Sequence, residues 1–141
     1  MGLIYLDSCL VIYAVERDPI FGDRVRHAMA SAPRDTFVIS PLVKLECLVK
    51  PLRTGDLVLQ RYYEAALEQL ELLPLPETAY IQTSHLRARF GLRTPDALHL
   101  ACAQHYGCEA LWTNDGRLAQ AAHGLARDVI GTLQRSTSEG P

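Results

Sequence analysis

The sequence predicts an α/β fold, a three-layer sandwich whose mostly parallel central sheet is covered by helices on both faces. Three observations carry this. Short continuous apolar runs, Gly2-Leu3-Ile4-Tyr5-Leu6, Thr36-Phe37-Val38-Ile39-Ser40 and Ala110-Leu111-Trp112-Thr113, alternate with longer stretches of helical periodicity. Strands covered on both faces read as such runs, and parallel strands need a crossover, usually a helix, between them. The first and last of these runs each lead into an aspartate, Asp7 and Asp115, at the strand end where open α/β sheets gather ligands. The third observation is a helix start, Arg93-Thr94-Pro95-Asp96-Ala97-Leu98-His99-Leu100-Ala101. Thr94 offers a capping hydroxyl, Pro95 suits the first helical position, and Asp96 falls in the first turn at the positive end of the helix dipole. The residues after Asp96 are small or apolar, so a buried helix presents a carboxylate at its mouth.

A chain of 141 residues, 48% hydrophobic and 21% charged, has the size and composition of one soluble globular domain. A net charge of -2 gives no global basic signal, so nucleic-acid binding cannot be argued from charge alone. The cations are two lysines, Lys44 and Lys50, against twelve arginines, whose forks suit phosphate as well as carboxylate. Cys9, Cys47, Cys102 and Cys108 lack a disulfide-framework spacing and are expected as buried reduced thiols. Cys102, His105 and Cys108 form a C-x2-H-x2-C run, but the three do not share one helix face, which argues against zinc. No signal-peptide pattern and no membrane-spanning apolar run occurs, so the expected location is cytoplasmic, with no membrane partner.

Taken in order, a helix from Cys9 to Ala14 follows the first strand, with Asp7 or Ser8 available as its cap. Asp18-Pro19 opens a second helical stretch to about Ala32, whose Arg24, Arg26 and His27 form a solvated face. Ser40-Pro41 after the second strand repeats the signal of a cap followed by proline. In the next helix Leu42, Leu45, Leu48 and Val49 make the apolar stripe, and Glu46 lies among hydrophobic neighbours. Pro51 ends or kinks that helix, and Thr54-Gly55-Asp56 turns into a long helix from Leu57 to about Leu72. Its apolar side carries Leu59, Tyr62, Tyr63, Ala66, Leu67 and Leu70. Leu72 to Leu75 is a third strand, placed at the sheet edge by Pro74. Pro76-Glu77 opens a helix to Phe90, which Gly91 closes. His99 is either a ligand, an acid–base group or a hydrogen-bonded core histidine. A short helix from Gly116 to about Ala122 and a last strand from Ala126 to Ile130 complete the domain. Residues 132–141 form a polar C-terminal tail.

In this architecture Asp7 and Asp115 meet at one edge of the sheet, and Glu46 and Asp96 reach it from helices. Four carboxylates in one pocket repel at neutral pH unless some protonate or a cation neutralises them. Oxygen-only donors suit Mg²⁺ or Mn²⁺ better than zinc. Each acid also has a structural alternative: a helix cap for Asp7 and Asp115, and an ion pair or exposure beside Lys50 for Glu46. Thr113 and Asn114 add a hydroxyl and an amide able to position a water or a phosphate. The chain has neither a Gly-rich phosphate loop nor a nucleophile paired with a base. The chemistry indicated is therefore metal-assisted attack of water on a phosphodiester.

The order Tyr5-Leu6-Asp7-Ser8, Glu46 in a Leu-rich helix, Thr94-Pro95-Asp96-Ala97-Leu98-His99-Leu100-Ala101 and Thr113-Asn114-Asp115 resembles the PIN domain ribonucleases. It is most similar to the VapC-type toxins of toxin–antitoxin pairs. The resemblance covers essentially the whole chain and implies the strand order 3-2-1-4-5, with residues 1–131 as the PIN domain. It implies that Asp7 and Asp96 are the main Mg²⁺ ligands, that Glu46 and Asp115 complete the acidic pocket, and that Ser8 and Thr113 orient water or phosphate. It further implies cleavage of a structured RNA such as a tRNA or ribosomal RNA, a homodimer, and a cognate antitoxin whose C-terminal segment lies in a helical groove. Arg17, Arg53, Arg87, Arg89, Arg93 and Arg117 are candidates for the RNA path. The alternative is a non-catalytic Mg²⁺-binding module of receiver-like fold, but the last two strands offer no lysine of the kind receivers use. Phosphatases of the haloacid dehalogenase type need D-x-D where this chain has Asp7-Ser8-Cys9.

Overall fold

A computed structural model describes residues 2–131; the polar tail expected at 132–141 lies outside the described residues. The apolar runs become β1 (Leu3–Leu6), β2 (Thr36–Ile39) and β4 (Ala110–Trp112). Two-residue strands, β3 (Glu71–Leu72) and β5 (Ala126–Arg127), flank them, and the sheet order is β3-β2-β1-β4-β5. Every pairing is parallel, with Tyr5 opposite Val38 on one side and Leu111 on the other. Ile4, Tyr5 and Leu6 are each at most 5% exposed. Successive strand residues point to opposite faces, so both faces of β1 are covered, as its unbroken apolar run requires.

The helices are α1 (Ser8–Val15), α2 (Gly22–Ala30), α3 (Pro41–Thr54), α4 (Leu57–Glu68), α5 (Glu77–Phe90), α6 (Thr94–His105) and α7 (Gly116–Ala121). Several boundaries differ from the sequence expectation. The Asp18 carboxylate accepts the N–H groups of Ile20 and Phe21, closing a turn that delays α2 to Gly22. A Cβ at Gly22 would stand 2.9 Å from the Tyr13 carbonyl oxygen, so only glycine allows α1 and α2 to approach this closely. Pro51 does not end α3 but sits buried within it; Gly55, with φ 69°, closes the helix. Pro51 lies so near the C-terminus that its missing N–H removes only a late rung. Strand β3 starts earlier than expected, with Glu71 opposite Val38, and ends at Leu72, where Leu73 N–H makes a last bond to Ile39 O at 2.7 Å and Pro74 has no N–H to extend the ladder. Asp128 Oδ1 accepts the Ile130 N–H, turning the chain and ending β5 at Arg127.

The apolar stripe of α3 is also rotated from the one expected. Val43, Cys47 and Pro51, spaced four apart, are buried, whereas Leu45 and Val49 are exposed. In α4, Tyr63 and Leu67 enter the core while Tyr62 faces out. A helix apolar on most sides has no unique phase, and packing on the neighbouring elements selects one.

All four cysteines are free; Cys47, Cys102 and Cys108 are buried. Burial pushes the Cys47 and Cys102 thiols up to about 12 and Cys108 to about 11, far above a reactive thiol. A thiol-labelling reagent at pH 8 is expected to leave these three unmodified in the native protein and to modify them after unfolding. Rapid labelling of the native chain would show that they are not core residues. Among the described residues Cys102, His105 and Cys108 are not brought within metal-binding distance of one another; Cys102 is buried, and His105 is exposed beside Thr78.

Candidate active site

Because β1 is central and ends at Leu6, the residue after it emerges where α1, α3, α6 and β4 meet. Asp7 N–H still bonds Trp112 O at 3.0 Å, which holds its backbone in line with the sheet. Asp7 occupies the N-cap position of α1, yet its side chain makes no capping bond. Instead Oδ2 accepts from Thr113 Oγ1 at 2.7 Å, and Ser8 Oγ lies 3.5 Å from Oδ1. The capping alternative therefore fails for Asp7, a carboxylate only 7% exposed.

Glu46 reaches the same place from the middle of α3. Its Oε1 lies 2.5 Å from His99 Nε2, and that nitrogen is 3.8 Å from Asp7 Oδ1. Lys50 does not neutralise it; Lys50 pairs with Glu16 at 2.5 Å. Ligand atoms of Asp7, Glu46 and His99 all lie within 4.8 Å of one another, the one such metal-sized cluster among the described residues. His99, whose role the sequence left open, is thus a member of the site and is 1% exposed. Its position three residues after Asp96 on α6 was the available signal. Only the convergence of α3 and α6 shows what it faces.

Asp96 lies in the first turn of α6, as expected, although the N-cap is Arg93 rather than Thr94 and no side chain caps the helix. The start shifts by one residue because Ala97 N–H bonds the Arg93 carbonyl, which places Thr94 first and Pro95 second; neither position has a helical N–H partner to lose. Arg93 Nε bonds Asp96 Oδ2 at 3.2 Å. Desolvation, followed by the charge of Asp115, raises the Asp96 pKa above its ordinary value; Arg93 opposes this, and Asp7 adds to it. Asp96 therefore senses both strand-end acids.

For Asp115 the capping alternative is realised, since Oδ1 accepts the N–H groups of Arg117 and Leu118 at the start of α7. Its backbone N–H in turn bonds Thr113 Oγ1, so one threonine hydroxyl joins Asp7 to the Asp115 turn. Asn114 directs its amide to Tyr13 Oη at 2.8 Å, tying the β4 end to α1. The structure thus brings Asp7, Glu46 and His99 into one cluster, with Asp96 and Asp115 within electrostatic reach. The carboxylate-rich pocket around Asp7 fits a hard divalent ion.

Comparison with known proteins shows the family. The family model described as PIN domain matches residues 4–124. Ribonuclease VapC46 of Mycobacterium tuberculosis is 33% identical over 132 residues, covering 92% of this chain and 98% of that protein. Among solved structures, VapBC2 from Rickettsia felis bound to a promoter DNA fragment matches with a TM-score of 0.72 at 16% identity, covering 89% of this chain and 97% of that one. VapC20 of Mycobacterium tuberculosis, a Sarcin-Ricin loop cleaving toxin, matches with a TM-score of 0.68 at 17% identity, covering 84% and 94%. No helix among the described residues is long and apolar enough to cross a membrane. With a family match across most of its length and a relative 33% identical over 92% of it, both consistent with the sheet order, the chain belongs to the PIN domain family.

Proposed function

We propose that this protein is a metal-dependent endoribonuclease, the toxin of a toxin–antitoxin pair, that cleaves a structured RNA in the cytoplasm. The observation that carries the reading is the buried cluster at the end of β1. Two acids from distant parts of the chain are held within 4.8 Å of each other's ligand atoms, an arrangement that costs free energy without a cation. Asp7 and Asp96 would hold Mg²⁺ or Mn²⁺, with Glu46 and Asp115 completing the anionic pocket. When bound, such an ion lowers the pKa of a coordinated water and stabilises charge on the phosphoryl oxygens. The protein's own part is positional: Thr113 fixes the Asp7 carboxylate, Ser8 lies beside it, and Asn114 braces the β4 end.

Ribonuclease VapC46 supports RNA as the substrate class, and the Sarcin-Ricin loop cleaving VapC20 supports a structured target, proposed here as a tRNA or ribosomal RNA. A cognate antitoxin has two supports. The Rickettsia felis relative was solved as a VapBC assembly. A groove of ≈ 1200 Å³ between α1 and α4, lined by Val15, Lys50, Leu59 and Tyr62, continues into a second cavity that reaches Glu46. A peptide laid there could bring a cation to the acids. A homodimer, with residues 1–131 as the folded unit of each copy, is part of the same proposal.

Purified protein stripped with EDTA is expected to lose RNA cleavage completely and to regain it with Mg²⁺ or Mn²⁺. Sequencing of RNA ends after induction then identifies the target. Cleavage that persists in EDTA would end the metal-dependent reading.

A further inference from the structure

Beneath the acids runs a buried chain of polar side chains. Ser40 Oγ is 2.7 Å from Tyr5 Oη, Tyr5 Oη is 2.7 Å from His99 Nδ1, and His99 Nε2 is 2.5 Å from Glu46 Oε1. Ser40 and Tyr5 are fully buried and His99 is 1% exposed. The four residues come from the end of β2, from β1, from α6 and from α3. Ser40 directly precedes Pro41 at the N-cap of α3, yet makes no capping bond; its hydroxyl is committed to Tyr5. Burying three polar groups costs free energy unless each finds a partner, and apolar side chains would fill the same space more cheaply. The chain ends on a carboxylate.

Burial raises the Tyr5 phenol well above its ordinary value, so it keeps its proton. A carboxylate offers only acceptor oxygens, so a donor at this contact is the Nε2–H of His99. In that tautomer Nδ1 is free to accept from the Tyr5 hydroxyl, whose oxygen can in turn accept from Ser40, a sequence of hydrogen bonds running toward Glu46. This acid needs support more than Asp7 does. Asp7 is short, buried and held by Thr113, whereas Glu46 has a longer side chain, is 28% exposed, and is repelled by Asp7.

We propose that His99 is a positioning residue of the nuclease site: a buried donor, aimed by Tyr5 and Ser40, that holds Glu46 beside Asp7 in the placement a divalent ion requires. The role rests on the nuclease reading above; the hydrogen bond does not. Placed 3.8 Å from Asp7 as well, the Nε2–H group also lessens the repulsion between the two carboxylates before an ion arrives.

Two measurements test this. Nitrogen-15 NMR of the metal-free protein is expected to show a proton on Nε2 of His99; an Nε2 without one overturns the proposal whatever the protein does to RNA. Calorimetric titration with Mn²⁺ is expected to show about 10- to 100-fold weaker binding for His99→Leu, with kcat falling and KM for RNA unchanged. His99→Gln, whose amide nitrogen can take the place of Nε2, should recover most of the affinity, and Tyr5→Phe should lose part of it. Parent-like Mn²⁺ affinity and kcat in His99→Leu overturn the proposal. Should that variant fail to fold, parent-like Mn²⁺ affinity and kcat in Tyr5→Phe overturn it equally. If the parent neither binds Mn²⁺ nor cuts RNA while Nε2 carries its proton, the nuclease reading falls and takes the positioning role with it, leaving the His99–Glu46 contact as a structural bond.

Discussion

Asp96→Asn is expected to reduce metal-dependent RNA cleavage at least ~100-fold while leaving the metal-free protein as stable as the parent or more so. The loss follows from withdrawing an anionic group where several kcal/mol of charge stabilisation are concentrated. The stability follows from the raised pKa of Asp96, caused by desolvation and then by Asp115. Because its folded pKa lies above the unfolded value, the ionised form is disfavoured by folding. The parent is therefore relatively most stable below the ordinary carboxylate pKa and gives up that increment as pH rises through the raised value. The difference in melting temperature between Asp96→Asn and the parent should thus be largest at neutral pH and shrink on acidification. Undiminished cleavage by the variant would remove Asp96 from the site. A melting-temperature difference that grew on acidification would contradict its electrostatic placement.

Leu111→Ala should do the opposite. Leu111 is fully buried in β4 and pairs with Tyr5 of β1 on one side and Ala126 of β5 on the other. Its truncation removes apolar contacts and leaves a cavity, at a cost of about 3 kcal/mol. For a domain of this size that corresponds to a melting temperature lower by roughly 10 °C. No member of the acidic cluster is touched, so the cleavage rate per folded molecule should stay near that of the parent. Differential scanning calorimetry and single-turnover kinetics at a temperature where the variant is folded separate the two effects. A large fall in the rate of the folded variant would mean that the site depends on β4 packing more directly than the hydrogen bonds indicate.

The contrast between these variants reflects two kinds of information in the chain. Strand runs such as Leu3–Leu6 and Ala110–Trp112 were legible because residues buried on both faces must be apolar throughout. Gly91 was legible because a left-handed backbone, φ 68° here, favours glycine after a helix. That Asp7 and Asp115 leave the sheet at the same edge could be anticipated because parallel topology places neighbouring strand ends there. The phase of α3 was less accessible: Leu45 and Val49 are as apolar as Val43 and Cys47, and only contact with the rest of the fold distinguishes them. Asp7 and Asp115 likewise have the same sequence signature, an acid leading from a strand into a helix. Yet Asp115 caps its helix through Oδ1, while Asp7 turns its carboxylate toward Thr113 and the site.

The sequence by itself determined the layered α/β class and the parallel sheet, and it named the acids as candidates, because apolar runs, prolines, glycines and strand-end charges act through local geometry. Tertiary structure alone decided that His99 joins Glu46 and Asp7 and that Tyr5 and Ser40 stand behind it. Those contacts join residues 35 to 94 positions apart, and hydrogen bonding over a few ångströms depends on how helices dock, which no local propensity encodes.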